Sequence, residues 1–258
     1  MNIYEFMCLH RKFLVYNLIL RNLKIRYRKS FFGMLWTVLI PAGSASIYYL
    51  VFEFVLKVKI DNYLLLILGG LIPWTFFSSS LSSSLEVIVA NYGLLNKVPL
   101  PPNSLTIAEI LTHFLNFALS LPIIAITFIF YQKIPTVYLI QFVPLTLLLL
   151  IITYSIGLIF GLIYAFFRDF RYLFQLILQF WFYLTPVMYT QSMIPEKFQV
   201  FLHLNPVAMI FIGFQKSLVF DKWLTPFEWL SITSWTLFAF FTAKYQFQKH
   251  SKRIVEIL

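Results

Sequence analysis

Six stretches of the chain stay apolar over a membrane-spanning length, at roughly 32–56, 62–90, 105–131, 139–167, 170–190 and 227–245. A helix rises 1.5 Å per residue, so about 20 such residues cross the ~30 Å hydrocarbon core of a bilayer. The pattern predicts an all-α membrane protein of six transmembrane helices, with residues 31–258 forming one membrane domain that ends in a short cytoplasmic C-terminus. Residues 1–30 read differently. Ile3, Phe6, Met7, Leu14 and Leu18 fall near one helical face, while Asn2, Glu5, Arg11, Lys12 and Arg21 interrupt the others, as suits a helix lying in the membrane interface. Residues 26–30 close this segment with a basic cluster, Arg26, Arg28 and Lys29, before the first span begins.

Two connections break the alternation of span and polar loop. The stretch 91–105, NYGLLNKVPLPPNSL, is short and carries Leu94, Leu95, Val98 and Leu100 with only Lys97 charged. Apolar residues on a short loop either meet a protein partner or dip into the headgroups. Pro99, Pro101 and Pro102 end its helix, since proline removes a donor and restricts the residue before it. The second is 191–226, where Val207–Phe220 is apolar but too short to span, a length typical of a re-entrant or interfacial segment.

Charge orients the chain. The net charge of +10 would suit nucleic acid, but its distribution follows the membrane. With six spans and a cytoplasmic start, fourteen of the twenty Lys and Arg residues fall inside; Lys57, Lys59, Lys133, Lys197, Lys216 and Lys222 fall outside. The positive-inside rule therefore places both termini in the cytoplasm, and anionic lipid headgroups rather than nucleic acid account for the basic excess. At 60% hydrophobic and 12% charged residues, the chain has too little polar surface to cover a water-soluble globule. The charged first thirty residues do not read as a cleavable signal peptide. Cys8 is the single cysteine, which excludes an intrachain disulfide or a cysteine zinc cluster.

Polar residues inside spans are the candidates for function. Glu109, His113 and Asn116 share a face of the third span, as spacing i, i+4, i+7 requires. They suit a proton relay, a substrate contact or an interhelical hydrogen-bond network near the boundary. Six of the seven residues from Ser78 to Ser84 are serine, which permits close packing or lines a path for a hydroxyl-rich ligand. Gly157, Gly161 and Ala165 form a small-residue stripe for helix packing. There is no GxxxxGK[ST] phosphate loop, no HExxH pair and no Ser/His/Asp arrangement, so neither ATP binding through a P-loop, a metal site nor covalent catalysis is expected of this chain.

Three segments, RYRKSFFGMLWTVLIP at 26–41, the NKVPLPP loop, and FWFYLTPVMY running on to LNP at 204–206, together resemble ABC-2 type permeases. Within that family they are most similar to the exporters of lipid-linked polysaccharide, such as O-antigen exporters of the Wzm type. The resemblance implies a homodimer working with two copies of a separate ABC ATPase, which binds ATP and Mg, in a bacterial inner membrane. The implied cargo is a polyprenyl-diphosphate-linked polysaccharide. It makes 91–105 the coupling loop, with Tyr92, Leu94, Leu95, Lys97, Val98 and Pro99 facing the ATPase. It makes 191–226 a pair of periplasmic gate helices and Arg26, Arg28 and Lys29 a basic entrance. Sugars stack on aromatic rings, so Trp36, Tyr48, Phe76, Trp181 and Tyr183, with Ser82, are the expected substrate path. Sibling permeases for teichoic acid, capsule or drugs, and a polytopic glycosyl- or acyltransferase, are the alternatives.

Overall fold

The computed structural model describes residues 3–28, 30–55, 57, 60–97 and 101–257, and within them the side chains of 12–95 and 101–251. Every regular element among them is helical. In chain order these are α1 (Ile3–Tyr27), α2 (Trp36–Tyr49), α3 (Tyr63–Ala90), α4 (Tyr92–Lys97), α5 (Asn103–Phe130), α6 (Phe142–Phe166), α7 (Phe170–Leu184), α8 (Glu196–Leu204), α9 (Ala208–Gln215) and α10 (Pro226–Ile257). A 3₁₀ turn leads into α2 and another into α6; π turns extend α2 to Val55 and α9 to Phe220.

Four helical stretches among the described residues are long and apolar enough to cross a membrane: Gly33–Val55, Tyr63–Ala90, Asn103–Phe130 and Val137–Phe166. A fifth is reached only by joining α8 to α9 and its π turn, but that pair is bent by 113°. The last two apolar runs form α7, 15 residues long, and α10, 32 residues long. At 1.5 Å per residue α7 is only about 22 Å long and stops short of a full crossing as helix. Thr185 is extended and Pro186 follows it, so the chain leaves the helix there.

The centre of the molecule is α3, which packs on α2, α5 and α6, while α10 packs along α6. Small residues set these approaches. A Cβ on Gly157 would lie 3.0 Å from Ser84 Cβ, and one on Gly161 would lie 2.9 Å from Ser84 O, so the small stripe of α6 seats α3 within one subunit. Gly70 is more demanding: a Cβ there would lie 2.0 Å from the carbonyl oxygen of Val187. Only glycine lets the chain after α7 cross the middle of α3. That crossing is buried, and three carbonyls in or beside it accept from side chains. Gln215 Nε2 donates to Pro186 O (2.6 Å) and Tyr189 O (2.9 Å), and Tyr63 OH donates to Met188 O (2.9 Å).

α9 is buried along its whole length, whereas α8 exposes Phe198, Val200, Phe201 and Leu204. Asn205 fixes the bend between them by donating to Leu184 O (3.1 Å) and Thr185 Oγ1 (3.0 Å). Ion pairs Lys216–Glu228 (2.6 Å) and Lys133–Asp221 (3.0 Å) hold the far end of the hairpin to α10 and to the loop after α5. By contrast α2 and α7 bury little. Pro41 and Ala45 are the buried residues of α2, and Phe174 alone is buried in α7.

Candidate functional site

The polar face of α5 is matched residue by residue with the last two turns of α1. Arg21 Nη2 donates to Asn91 Oδ1 (3.0 Å), Asn22 Nδ2 to Glu109 Oε1 (2.9 Å), and Tyr27 OH to Asn116 Oδ1 (2.9 Å). Arg26 lies between them, its Nη2 3.1 Å from His113 Nε2, while Ser83 Oγ reaches the same ring nitrogen at 2.8 Å. Burial pushes the Tyr27 phenol up, so it stays a donor. Of the readings open to Glu109, His113 and Asn116, the interhelical network is therefore the one formed. It joins α1 to α5 and, through Asn91, to the start of α4.

Beside this network is a cavity of about 560 Å³ between α1, α2, α3 and α5. Arg26, Tyr27 and Ser30 close one end; Ser78, Ser79, Ser82, Ser83, Thr37 and Thr75 supply hydroxyls; Trp36, Phe76 and Phe117 supply rings. The serine run thus divides by helix face. Ser80 and Ser84 are fully buried, Ser84 against the α6 glycines, while the other four open onto the cavity. Ile40, Pro41, Thr75 and Ser78 also wall a second groove, of about 400 Å³, between α2, α3 and α7, which contains Tyr48, Gln179, Phe182 and Tyr183. Cavity and groove together form one lane, polar at the α4 end and aromatic at the α8 end. On α3 it extends from Ser83 to Leu71, about 18 Å of helix.

Five of the six expected path residues, Trp36, Tyr48, Phe76, Ser82 and Tyr183, border this lane. Trp181 does not. Its Nε1 donates to Asn205 Oδ1 (2.9 Å), and its ring meets Phe77 edge-on at 5.2 Å, so it braces the bend before α9. Tyr183, two residues on, is 66% exposed and borders both the groove beside Tyr48 and the pocket that Trp181 and Asn205 line. Of the expected basic entrance, Arg26 faces the cavity and Arg28 is exposed in the turn after α1; Lys29 lies outside the described residues.

The expected ATPase-facing residues are sorted in the same way. α4 forms as a separate short helix at 92–97, with Tyr92 and Leu94 half-buried. Leu95 is 8% exposed and packs with Leu18 of α1, Val87 and Ile88 of α3, Leu105 of α5 and Leu162 of α6. Its environment is the chain's own interior rather than a free surface, and Leu94, half-buried, packs against the edge of the same cluster. The Lys97 side chain, Val98 and Pro99 lie outside the described residues, as do the side chains of Ile3, Phe6 and Met7 on α1.

Asn205, Gln215 and Gly70 were not readable as site residues. Each acts on backbone across a long sequence separation, and a polar or small residue in an apolar run gives no sign of which distant carbonyl it meets. Gln215 and Lys216 are both engaged, with the Pro186 and Tyr189 carbonyls and with Glu228 respectively.

Known proteins resemble this chain in sequence. The chain is 32% identical over 217 residues to an O-antigen export system permease protein RfbA of Klebsiella pneumoniae, covering 84% of this chain and 83% of that one. To the protein of that name in Myxococcus xanthus it is 34% identical over 204 residues, 78% of each chain. It is 27% identical over 203 residues to a polysialic acid transport protein KpsM of Escherichia coli, covering 78% of this chain and 79% of that one. Residues 14–219, from the middle of α1 through α9, match the family of ABC-2 type transporters. With the all-helical fold and its apolar spans, this match makes the chain a member of the ABC-2 type transporter family.

Proposed function

We propose that this chain is the membrane subunit of an ABC exporter that carries a lipid-linked polysaccharide, such as an O-antigen, out across the bacterial inner membrane. The observation that carries the reading is the similarity, over about four fifths of both chains, to permeases named for O-antigen export. The lane from Arg26 to Tyr183 supports it chemically. Hydroxyls exchange hydrogen bonds with sugar hydroxyls, and rings offer faces to sugar C–H groups.

In this reading the chain crosses the membrane six times with both termini cytoplasmic. α7 and the extended residues after it make the fifth crossing, and α8 with α9 is the re-entrant hairpin on the outer side. Two copies meet through the apolar faces that α2 and α7 leave uncovered, so their two lanes form one conduit. A pair of ATPase subunits docks on α4 through Tyr92, Leu94 and the residues that follow. ATP-driven motion of α4 reaches the lane through Asn91–Arg21, and then through the α1–α5 pairs up to Arg26. The exporter reading is tested by deleting the gene in its host. Loss of surface polysaccharide with accumulation of the lipid-linked glycan inside is expected; an unchanged cell surface and no internal accumulation would overturn it.

A further inference from the structure

The two helices that face each other across the groove, α3 and α7, carry opposite charges where the lane runs out toward α4. On α3, Ser78 and Ser82 open onto the lane, and Glu86 follows Ser82 by four residues, which returns it to the same face. On α7, Leu178 and Phe182 line the groove, and Arg171 precedes Leu178 by seven residues, again on that face. The two stripes meet between the last turn of α3 and the first turn of α7, where Arg171 Nη2 pairs with Glu86 Oε1. The other two ion pairs among the described residues lie at the opposite, hairpin end. Elsewhere α7 is fastened by rings. In its second half Trp181 meets Phe77 at 5.2 Å and Phe182 meets Trp74 at 5.3 Å, while its first half rests on Phe160 of α6 through Phe170 and Phe174, both at 5.5 Å. Among the described residues, α7 is therefore held to α3 by packing at one end and by charge at the other.

An ion pair that fixes two helices for good is buried and fully bonded, and this one is neither. Its side chains are 43% and 41% exposed, and Arg171 Nε, itself shielded from solvent, has no hydrogen-bond partner. So exposed a pair adds little to stability and parts easily. The α7 stripe beyond it carries the exposed amides of Gln175 and Gln179, which on a membrane helix call for water or a polar ligand rather than hydrocarbon. We propose that the Glu86–Arg171 pair is a latch across the inner end of the lane. Paired, it holds the first turn of α7 on α3 and shuts the lane to the cytoplasm. Parted, it lets that end of α7 swing about the ring contacts of the second half and admits the cargo. Glu86 lies five residues before Asn91, at the corner where α3 gives way to α4, so a movement of α4 reaches the latch directly. The latch deepens the exporter reading and rests on it, with the α4 end of the lane in the cytoplasm.

The test reads entry of a water-borne reagent from the cytoplasmic side. With Cys8 replaced, a reporter cysteine is placed at Gln179, exposed on the groove, and a membrane-impermeant maleimide is applied to inside-out vesicles holding the full chain with its partner and no ATP. Labelling is expected to be slow in the parent and roughly two- to fivefold faster in Glu86→Gln and in Arg171→Gln, the shift in open population that loss of an exposed ion pair produces. Exchanging the charges, Glu86→Arg with Arg171→Glu, is expected to restore the parental rate, and keeps the test valid if either single change disturbs α7. Parental labelling as fast as that of the unfolded protein, labelling indifferent to both neutralising changes, or an exchanged pair that labels like the single variants overturns the latch. In cells, a short reducible thiol crosslinker between Glu86→Cys and Arg171→Cys is expected to stop export until reductant is added, and export unaffected by the bridge also overturns it. Labelling reads neither export nor ATP turnover, so loss of the exporter reading would leave that result standing, whereas normal surface polysaccharide with indifferent labelling would remove the latch alone.

Discussion

Gly70→Ala tests the most constrained point of the fold. The added methyl would sit 2.0 Å from Val187 O, 2.8 Å from Val187 C and 3.0 Å from Val187 Cα. Backbone cannot rotate away as a side chain does, so the segment after α7 must lift from α3. Lifting it strains the two bonds from Gln215 and the one from Tyr63 that hold Pro186, Met188 and Tyr189. Overpacking costs about 1–3 kcal/mol and each weakened hydrogen bond about 0.5–1.5 kcal/mol. Against this, alanine gains up to about 1 kcal/mol as a helix former. The balance is a loss of about 2 kcal/mol or more, read as a fall of roughly 5 °C or more in the thermal midpoint of the purified protein. Two comparisons calibrate it. Gly69→Ala meets only the Leu218 side-chain tip at 2.7 Å and should lose less, and Gly93→Ala meets nothing within 4 Å and should match the parent. If Gly70→Ala melts with the parent and Gly93→Ala, the tight crossing of α3 by the Thr185–Val187 segment is wrong.

Three further outcomes follow from the same geometry. Trp181→Ala should remove the brace on Asn205 and lower the yield of folded protein, whereas Tyr183→Ala should fold normally and slow export; equal behaviour of the two in a melting and surface-glycan assay would contradict their separation. With Cys8 replaced, cysteines at the exposed positions Ser192 and Lys222 should both react with an impermeant external reagent; labelling of the latter only from the cytoplasm would invert α10. Leu94→Asp should weaken copurification of the ATPase while leaving the permease folded, but Leu95→Asp should destabilise the permease itself, by about 1.5–3 kcal/mol for the lost burial alone, and a normal melting curve for it would contradict the packing of Leu95.

The elements were largely legible in the sequence because apolar runs report spans directly. The runs at 105–131 and 139–167 agree with the helical stretches Asn103–Phe130 and Val137–Phe166 to within two residues. The last helix is longer than its apolar run because Lys244, Lys249 and their neighbours end the hydropathy signal without ending the helix. The break at Thr185-Pro186 was marked by proline chemistry. What was hidden is orientation around each helix. Tyr183 and Trp181 lie two positions apart in the same aromatic run, and only the partner Asn205, 24 residues from Trp181, tells them apart. Ser80 and Ser82 differ in the same way. The polar face of α5 announced itself by its spacing, yet its partners came from α1, 87 to 89 residues earlier, where no periodicity points to them.

In the exporter reading proposed above, a glycan moves along the lane between α2, α3 and α7. Its most direct test is site-specific photocrosslinking in cells making the polysaccharide. A photoreactive residue is placed at Ser82 or Tyr183 on the lane, and for comparison at Val143 or Leu147, exposed on α6. Glycan adducts should form at Ser82 and Tyr183 only, and should disappear when the partner ATPase is inactivated. Adducts on α6 with none at Ser82 and Tyr183 would place the path elsewhere and contradict the account.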